Sequence, residues 1–241
     1  MVRIRSWMFV SGISLMMLAA CATADPAPVK TAGLDQAQAP IQPTQEAEAP
    51  PDPGSAPGEA GSTQAVLMFH IVGEGTQARF IIDEVLRGEP KTVVGATHQV
   101  TGEIRVNQEN LSLTEVGLIT IDAGTLRTDN NFRNAAIENF ILQTGSYPLI
   151  TFAPTSIEGL PTAVVVGETY TFDLTGDLTI REITQSVTFK VSVTVQSKTE
   201  IRGTASTTVL REEYELKIPS VPQVAGVSNE VVLELDFTAA P

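Results

Sequence analysis

The 241-residue sequence has very little of the chemistry that most readily betrays an activity. It contains one cysteine, Cys21, which excludes an intrachain disulfide and a multi-thiolate metal centre and leaves the fold to rest on burial. It contains two histidines, His70 and His98, with no companion at metal-ligand spacing, so each is expected on a strand surface or rim and no metal site is assigned. There is no Gly-x-Ser-x-Gly elbow, no glycine-rich phosphate loop after a strand and no Cys/His cluster. Asp122 and Asp177 read as residues of strand ends or turns and Asp129 as a helix cap. No catalytic residue and no cofactor is therefore expected, and the chain is read as not an enzyme. Basic residues are also scarce: 15 Lys and Arg against 28 Asp and Glu give a formal charge of −13. Nucleic acid is excluded as a partner, because nothing would release its counterions. A charged lipid headgroup would need a local basic patch to overcome the global field.

The amino terminus supplies the first positive signal. Arg3 and Arg5 precede an apolar run from Trp7 to Leu18 that ends in Leu18-Ala19-Ala20-Cys21. The run is short for a membrane span and has the order of a signal peptide. Its end resembles a bacterial lipobox, which predicts a signal over residues 1–21, acylation of Cys21 and a membrane-anchored lipoprotein at the extracytoplasmic face of the cell envelope. The alternative is an ordinary secretory signal with an incidental cysteine. Residues 22–62, rich in Ala, Pro, Gln and Glu, carry too little apolar surface to offset chain entropy and are expected to be a disordered tether. The folded domain is expected over residues 63–241.

Period-two alternation takes over from about Gln64. Val187, Phe189, Val191, Val193 and Val195 fall on one face, with Thr188, Lys190, Ser192 and Thr194 on the other. The same pattern recurs at Val100 to Val106, Tyr170 to Leu174 and Val231 to Phe237. Further strands are predicted at Val66 to Val72, Arg79 to Leu86, Gly117 to Ala123, Leu149 to Ile157, Gly176 to Ile180 and Ile201 to Leu210, with Arg87 and Lys91 in a long loop. One segment, Asp129 to about Gln143, carries Phe132, Ala136 and Phe140 at helical spacing. It predicts an amphipathic helix capped by Thr128 or Asp129 and covering an end or flank of the sheet. The fold class is all-β: an antiparallel barrel of about eight strands with one helix, its interior just wide enough for side chains or one slender ligand.

The stretches Ile119-Thr120-Ile121-Asp122, Thr125-Leu126-Arg127-Thr128-Asp129-Asn130, Tyr147-Pro148-Leu149-Ile150-Thr151-Phe152, Thr175-Gly176-Asp177-Leu178-Thr179-Ile180 and Val187-Thr188-Phe189, in this order, resemble the YceI-like family of bacterial secreted proteins. The resemblance implies a lipocalin-like barrel that binds a polyisoprenoid, and the expected partner is an isoprenoid such as a quinone or a polyprenyl phosphate, or another long apolar lipid. It departs from the family pattern after Phe80-Ile81-Ile82, where many members carry a histidine and this chain has Glu84, so no polar contact is expected at that point of the pocket mouth. Alternation leaves a hollow barrel and a solid core equally open, and the resemblance favours the cavity. Its expected lining is Ile119, Ile121, Phe172, Leu174, Phe189, Val191, Val193, Gly203, Ala205, Leu233 and Leu235, with the small residues Gly102, Gly203 and Ala205 leaving the volume. Arg127 and Arg133 are the candidate headgroup contacts, with a scaffold role for Arg133 as the alternative. The competing function is a packed interaction module of the envelope with no small-molecule ligand.

Overall fold

A computed structural model of the chain describes residues 66–241; the expected signal with Cys21, and the expected tether, lie outside the described residues. The strands are β1 (Val66–Leu86), β2 (Glu89–Thr97), β3 (Val100–Thr101), β4 (Glu103–Asn107), β5 (Glu115–Val116), β6 (Ile119–Asp122), β7 (Leu149–Glu158), β8 (Thr169–Ile180), β9 (Ile183–Ser197), β10 (Glu200–Leu210), β11 (Val224–Val227) and β12 (Glu230–Ala240). The described strand pairs are antiparallel, and β6, β7, β8, β9, β10, β12 and β1 are neighbours in that order. The run β2–β3–β4 closes the circuit: β4 pairs with β1, β3 pairs with β6, and the Ile71 N–H donates to the Gly102 carbonyl at 2.9 Å between the two ladders. Counting β2–β4 as one, eight staves enclose the core, as the alternation predicts.

The outer face is held by short polar side chains. Threonine pairs 169–194, 175–188 and 179–184 meet across β8 and β9 at 2.7–2.8 Å, the cross-strand contacts that suit an exposed ladder. On the inner face Phe69, Ala78, Phe152, Leu174, Val191, Leu235 and Phe237 are buried together.

Three local expectations are corrected. The two segments expected at 66–72 and 79–86 are one strand, broken by a bulge: Val72 lies opposite Thr238 but Gln77 opposite Asp236. The extra residues flip the inward parity, from Leu67, Phe69 and Ile71 to Ala78, Phe80, Ile82 and Glu84. Thr76 is fully buried at the bulge, its hydroxyl donating to the Val72 carbonyl at 2.5 Å and accepting from the Thr238 N–H at 3.2 Å. The stretch after Leu86, expected as loop, is strand β2. Arg87 and Gly88, both at positive φ, make the two-residue turn that twisted hairpins favour. Asp177, expected near a strand end, lies inside β8 opposite Ser186.

A further correction concerns the helix. It runs as α1 (Asn131–Ala136) into a wider turn over Ile137–Ile141, where the Leu142 N–H reaches back five residues to the Ile137 carbonyl at 2.8 Å. The cap is Asn130, whose side chain accepts from the Phe132 and Arg133 N–H groups. Phe132 and Phe140, expected on the buried stripe, are 90% and 64% exposed, while Asn134, Ile137 and Leu142 are buried. The inward residues Asn134, Ile137 and Ile141 keep the ordinary three-to-four spacing, but on another side of the helix from Phe132 and Phe140, so a four-residue apolar spacing did not mark the buried face.

The glycines expected to leave volume instead receive neighbours. A Cβ on Gly203 would stand 2.5 Å from the Phe237 ring, one on Gly95 2.1 Å from the Phe80 ring, one on Gly176 2.7 Å from the Phe152 ring, and one on Gly102 2.9 Å from Ile71. Phe80–Gly95 and Phe237–Gly203 are directly opposed pairs, the arrangement in which an aromatic ring covers a strand glycine. Gly95→Val should therefore force the Phe80 ring off its strand partner and cost roughly 1–3 kcal/mol in urea unfolding. Adding Phe80→Ala should make the double variant less unstable than the sum of the singles, because the clash is shared.

Candidate functional site

The interior is solid at one end and hollow at the other. Inward residues near one level, Ala78, Ile119, Phe152, Leu174, Phe189, Ala205 and Leu235, all face a cavity of about 230 Å³, with Ala78–Leu235–Ala205, Ile119–Phe152 and Leu174–Phe189 as direct ladder partners. The Phe152 and Phe189 rings meet edge to face there, 5.0 Å between centroids at 71°. On the β1–β2 turn side of this level the wall continues through Ile82, Val93, Ile121, Leu126, Ile180, Val209 and Leu233. On the other side Phe69, Val191, Phe237 and Ala239 are buried against one another.

Seven of the expected lining residues border the cavity: Ile119, Ile121, Leu174, Phe189, Ala205, Leu233 and Leu235. Phe172, Val191, Val193 and Gly203 point inward but belong to the solid half, below the Phe152–Phe189 level. Parity alone identified the face and carried no information on depth along the axis. Alternation also missed the end wall, where Ile137, Ile141 and Leu142 of the helix and Tyr214, Leu216 and Ile218 after β10 join the lining.

Arg127 does not reach the cavity. It is exposed, its guanidinium donating to the Gly124 and Leu126 carbonyls at 2.9 and 2.7 Å while its backbone pairs with Ala96. Arg133 does line the cavity, but its charge is already met. It bonds the Glu84 carboxylate at 2.7 Å and the Asp129 carboxylate at 2.5 Å, the scaffold alternative named for it above. Glu84, where no polar contact was expected, is the missed member: only 8% of its side chain is exposed, against 18% for Arg133. It lies on the inward parity of β1 near its end, so an acid interrupting an otherwise apolar even-numbered run, Ala78, Phe80, Ile82 and Leu86, was the signal.

The pair is extended outward. Lys91 on β2 bonds Asp129 at 2.7 Å, and that hydrogen bond, with Arg133, holds the Asp129 carboxyl below its ordinary range despite some desolvation. The contribution of Asp129 is present above its unfolded pKa and is lost as pH falls through the depressed one. Lys91–Asp129–Arg133–Glu84 thus pins the helix entrance to β1 and β2. Another guanidinium in the wall, Arg211, donates to the Ser228 and Leu216 carbonyls at 3.0 and 3.1 Å. Tyr214, 1% exposed, has no partner for its hydroxyl among the described residues. Burial, then the charge of Glu213, pushes that hydroxyl up to about 12.

Both histidines are exposed, as expected: His98 Nδ1 lies 2.6 Å from the Thr76 carbonyl and His70 3.6 Å from Glu103. Among the described residues no three His, Cys, Asp or Glu side chains gather as metal ligands, and no described helix is long and apolar enough to cross a membrane.

The profile of the YceI-like domain matches residues 69–239, nearly the whole barrel. The chain belongs to the YceI-like family. No curated protein sequence matches it, and similarity to solved structures is in the fold. A polyisoprenoid-binding domain from Saccharophagus degradans, implicated in plant cell wall breakdown, is 15% identical with a TM-score of 0.57, covering 72% of this chain and 98% of that one. BcnA of Burkholderia cenocepacia is 16% identical with a TM-score of 0.56, covering 70% and 99%. A YceI protein of Campylobacter jejuni is 15% identical with a TM-score of 0.50, covering 61% and 84%. In this YceI-like chain the Glu84 carboxylate is met by Arg133.

Two measurements check this wall. Arg133→Met strands the Glu84 carboxylate in an apolar surround and should cost about 3–5 kcal/mol in urea unfolding, with most of that recovered in Glu84→Gln/Arg133→Met. Tyr214→Phe removes an unpaired buried hydroxyl without altering ring packing and should raise the stability of lipid-free protein by about 1 kcal/mol. A loss of stability instead would mean that the hydroxyl has a bound water as partner.

Proposed function

We propose that this protein is a non-catalytic binder and carrier of an isoprenoid lipid, exported and held at the cell envelope through an acylated Cys21 and a tether over residues 22–62. The observation that carries the reading is the hollow half of the barrel, an apolar cavity with a floor of side chains and a helix for one wall. Membership of the YceI-like family and the fold shared with the Saccharophagus polyisoprenoid-binding domain support the same ligand class. A dry cavity of roughly 150 Å³ accepts benzene, so about 230 Å³ takes the end of a prenyl chain, and a longer chain continues beyond the enclosed space. Apolar burial at about 25 cal/mol per Å² supplies the affinity without many polar contacts.

Both arginines considered for a headgroup are already satisfied, Arg127 by carbonyls and Arg133 by two carboxylates. A doubly charged phosphate would have to displace Glu84 and Asp129 within a chain of formal charge −13, so an uncharged head such as a quinone fits better. The packed interaction module fits less well, because a solid core would leave no such void.

Native mass spectrometry of purified protein should show a co-purifying lipid of isoprenoid mass. Ala205 sits in the floor opposite Val191 and Leu235, so Ala205→Phe should lower the retained lipid at least tenfold while leaving the unfolding midpoint of delipidated protein unchanged or higher. Destabilisation of roughly 1–3 kcal/mol, as overpacking gives, together with no lipid on the parent, would establish the packed module.

A further inference from the structure

We propose that the outer face of the helical segment 131–141, through Phe132 and Phe140, inserts into the surface of a lipid bilayer, so that the cavity exchanges its lipid where the helix meets the membrane. This rests on the reading of the cavity as a lipid site. The helix is apolar on two sides. Its inner side gives Ile137, Ile141 and Leu142 to the cavity wall, while Phe132 and Phe140 stand 90% and 64% exposed on the outside. A helix apolar on both sides needs cover on both, and the barrel covers only one. Phenylalanine on a short interfacial helix buries its ring at the headgroup boundary.

Charge selects the partner. Between Asp129 and Glu158 the only charged side chains are Arg133 and Glu138, so this segment is formally neutral in a protein of charge −13. An acidic molecule that must approach a bilayer does so best by a neutral face. Position selects it too. A long isoprenoid has negligible solubility and must pass directly between bilayer and cavity, and the helix borders the lumen with Ile137 and Ile141 and the outside with Phe132 and Phe140. The 44 residues between Cys21 and Val66 span at most on the order of 150 Å when extended, which lets a barrel anchored at Cys21 turn this face to its own membrane.

The barrel has a second exposed apolar stretch, Val164, Val165 and Val166, in the connection from β7 to β8 beside the solid end. It serves as the control. The natural tryptophan is Trp7, within the expected signal. Phe132→Trp, Phe140→Trp and Val165→Trp, each in a chain produced from residue 21 with Cys21→Ser, therefore carry one reporter and no acyl anchor. With neutral phosphatidylcholine vesicles, emission at 132 and 140 should shift to the blue and be quenched by brominated lipid, while 165 should not respond. No response at 132 and 140, or a response at 165 alone, overturns the proposal. A blue shift at 132 that follows protein concentration without vesicles also overturns it, since a second copy would then cover the face.

Phe132→Asp/Phe140→Asp alters exposed side chains and should retain the lipid seen by native mass spectrometry while transferring a fluorescent isoprenoid between vesicles at least tenfold more slowly than the parent. Retained lipid with unchanged transfer defeats the docking face and leaves lipid binding intact. Absence of lipid on the parent defeats the carrier reading itself, and with it this route of exchange.

Discussion

Phenylalanine rings laid over glycines on the neighbouring strand determine how the space inside this barrel is divided. An eight-stave barrel has an interior that ordinary side chains nearly fill, so a cavity survives only where large residues are kept out of the lumen. Phe80 lies against Gly95 and Phe152 against Gly176, which brings both rings close to strand backbone at the edge of the cavity. Phe237 against Gly203 lies at the other end, among Val191 and Ala239, where the core is continuous. The same contact therefore borders the lumen in one half and closes it in the other, and the Phe152–Phe189 pair marks the boundary.

The charged groups in the wall serve position more than net stability. A buried ion pair offsets much of its attraction with lost hydration, so Glu84–Arg133 is better understood as fixing where the helix sits. Arg133 reaches from the helix into the wall at Glu84 and outward to Asp129, and Asp129 is held in turn by Lys91 of β2. With each of these charges met, and Arg211 satisfied by carbonyls, the lumen presents a wall with little pull on a charged ligand. That neutrality is what separates an uncharged isoprenoid from its phosphate in the functional reading.

The barrel and much of its lining were legible because alternation reports which face a residue occupies, and the staves that carry it are regular. Leu174, Phe189, Ala205, Leu233 and Leu235, expected inward on that ground, face the cavity. Depth along the axis is set by what lies across the lumen, which no single strand encodes, so Val191 and Val193 were assigned to the cavity although they fill the solid end. A glycine in a strand looks like empty space until its partner is known; Gly203 looked so and lies under Phe237. Two local features were the other source of error. The bulge between Val72 and Gln77 inverted the parity of β1, and the apolar spacing of Phe132 and Phe140 did not tell which side of the helix meets the barrel.

An apolar void carries an energetic consequence for the empty protein. At about 24 cal/mol per Å³ of unfilled enclosed cavity, roughly 230 Å³ corresponds to at most about 5 kcal/mol of forgone packing in this partly open pocket, a large share of the stability of a small domain. A sequence selected only to fold would fill that space, since exchanging alanine for a larger apolar residue at Ala205 is a single step. Retention of the void is therefore intelligible if the protein ordinarily holds a ligand there. A ligand that binds the folded state stabilises it by mass action, so the filled barrel recovers contacts that the empty one lacks. Release then leaves the less stable form. If the helix is where exchange occurs, its being held by a hydrogen-bonded charge network rather than by a continuous strand ladder gives it freedom to yield while the eight staves keep their register.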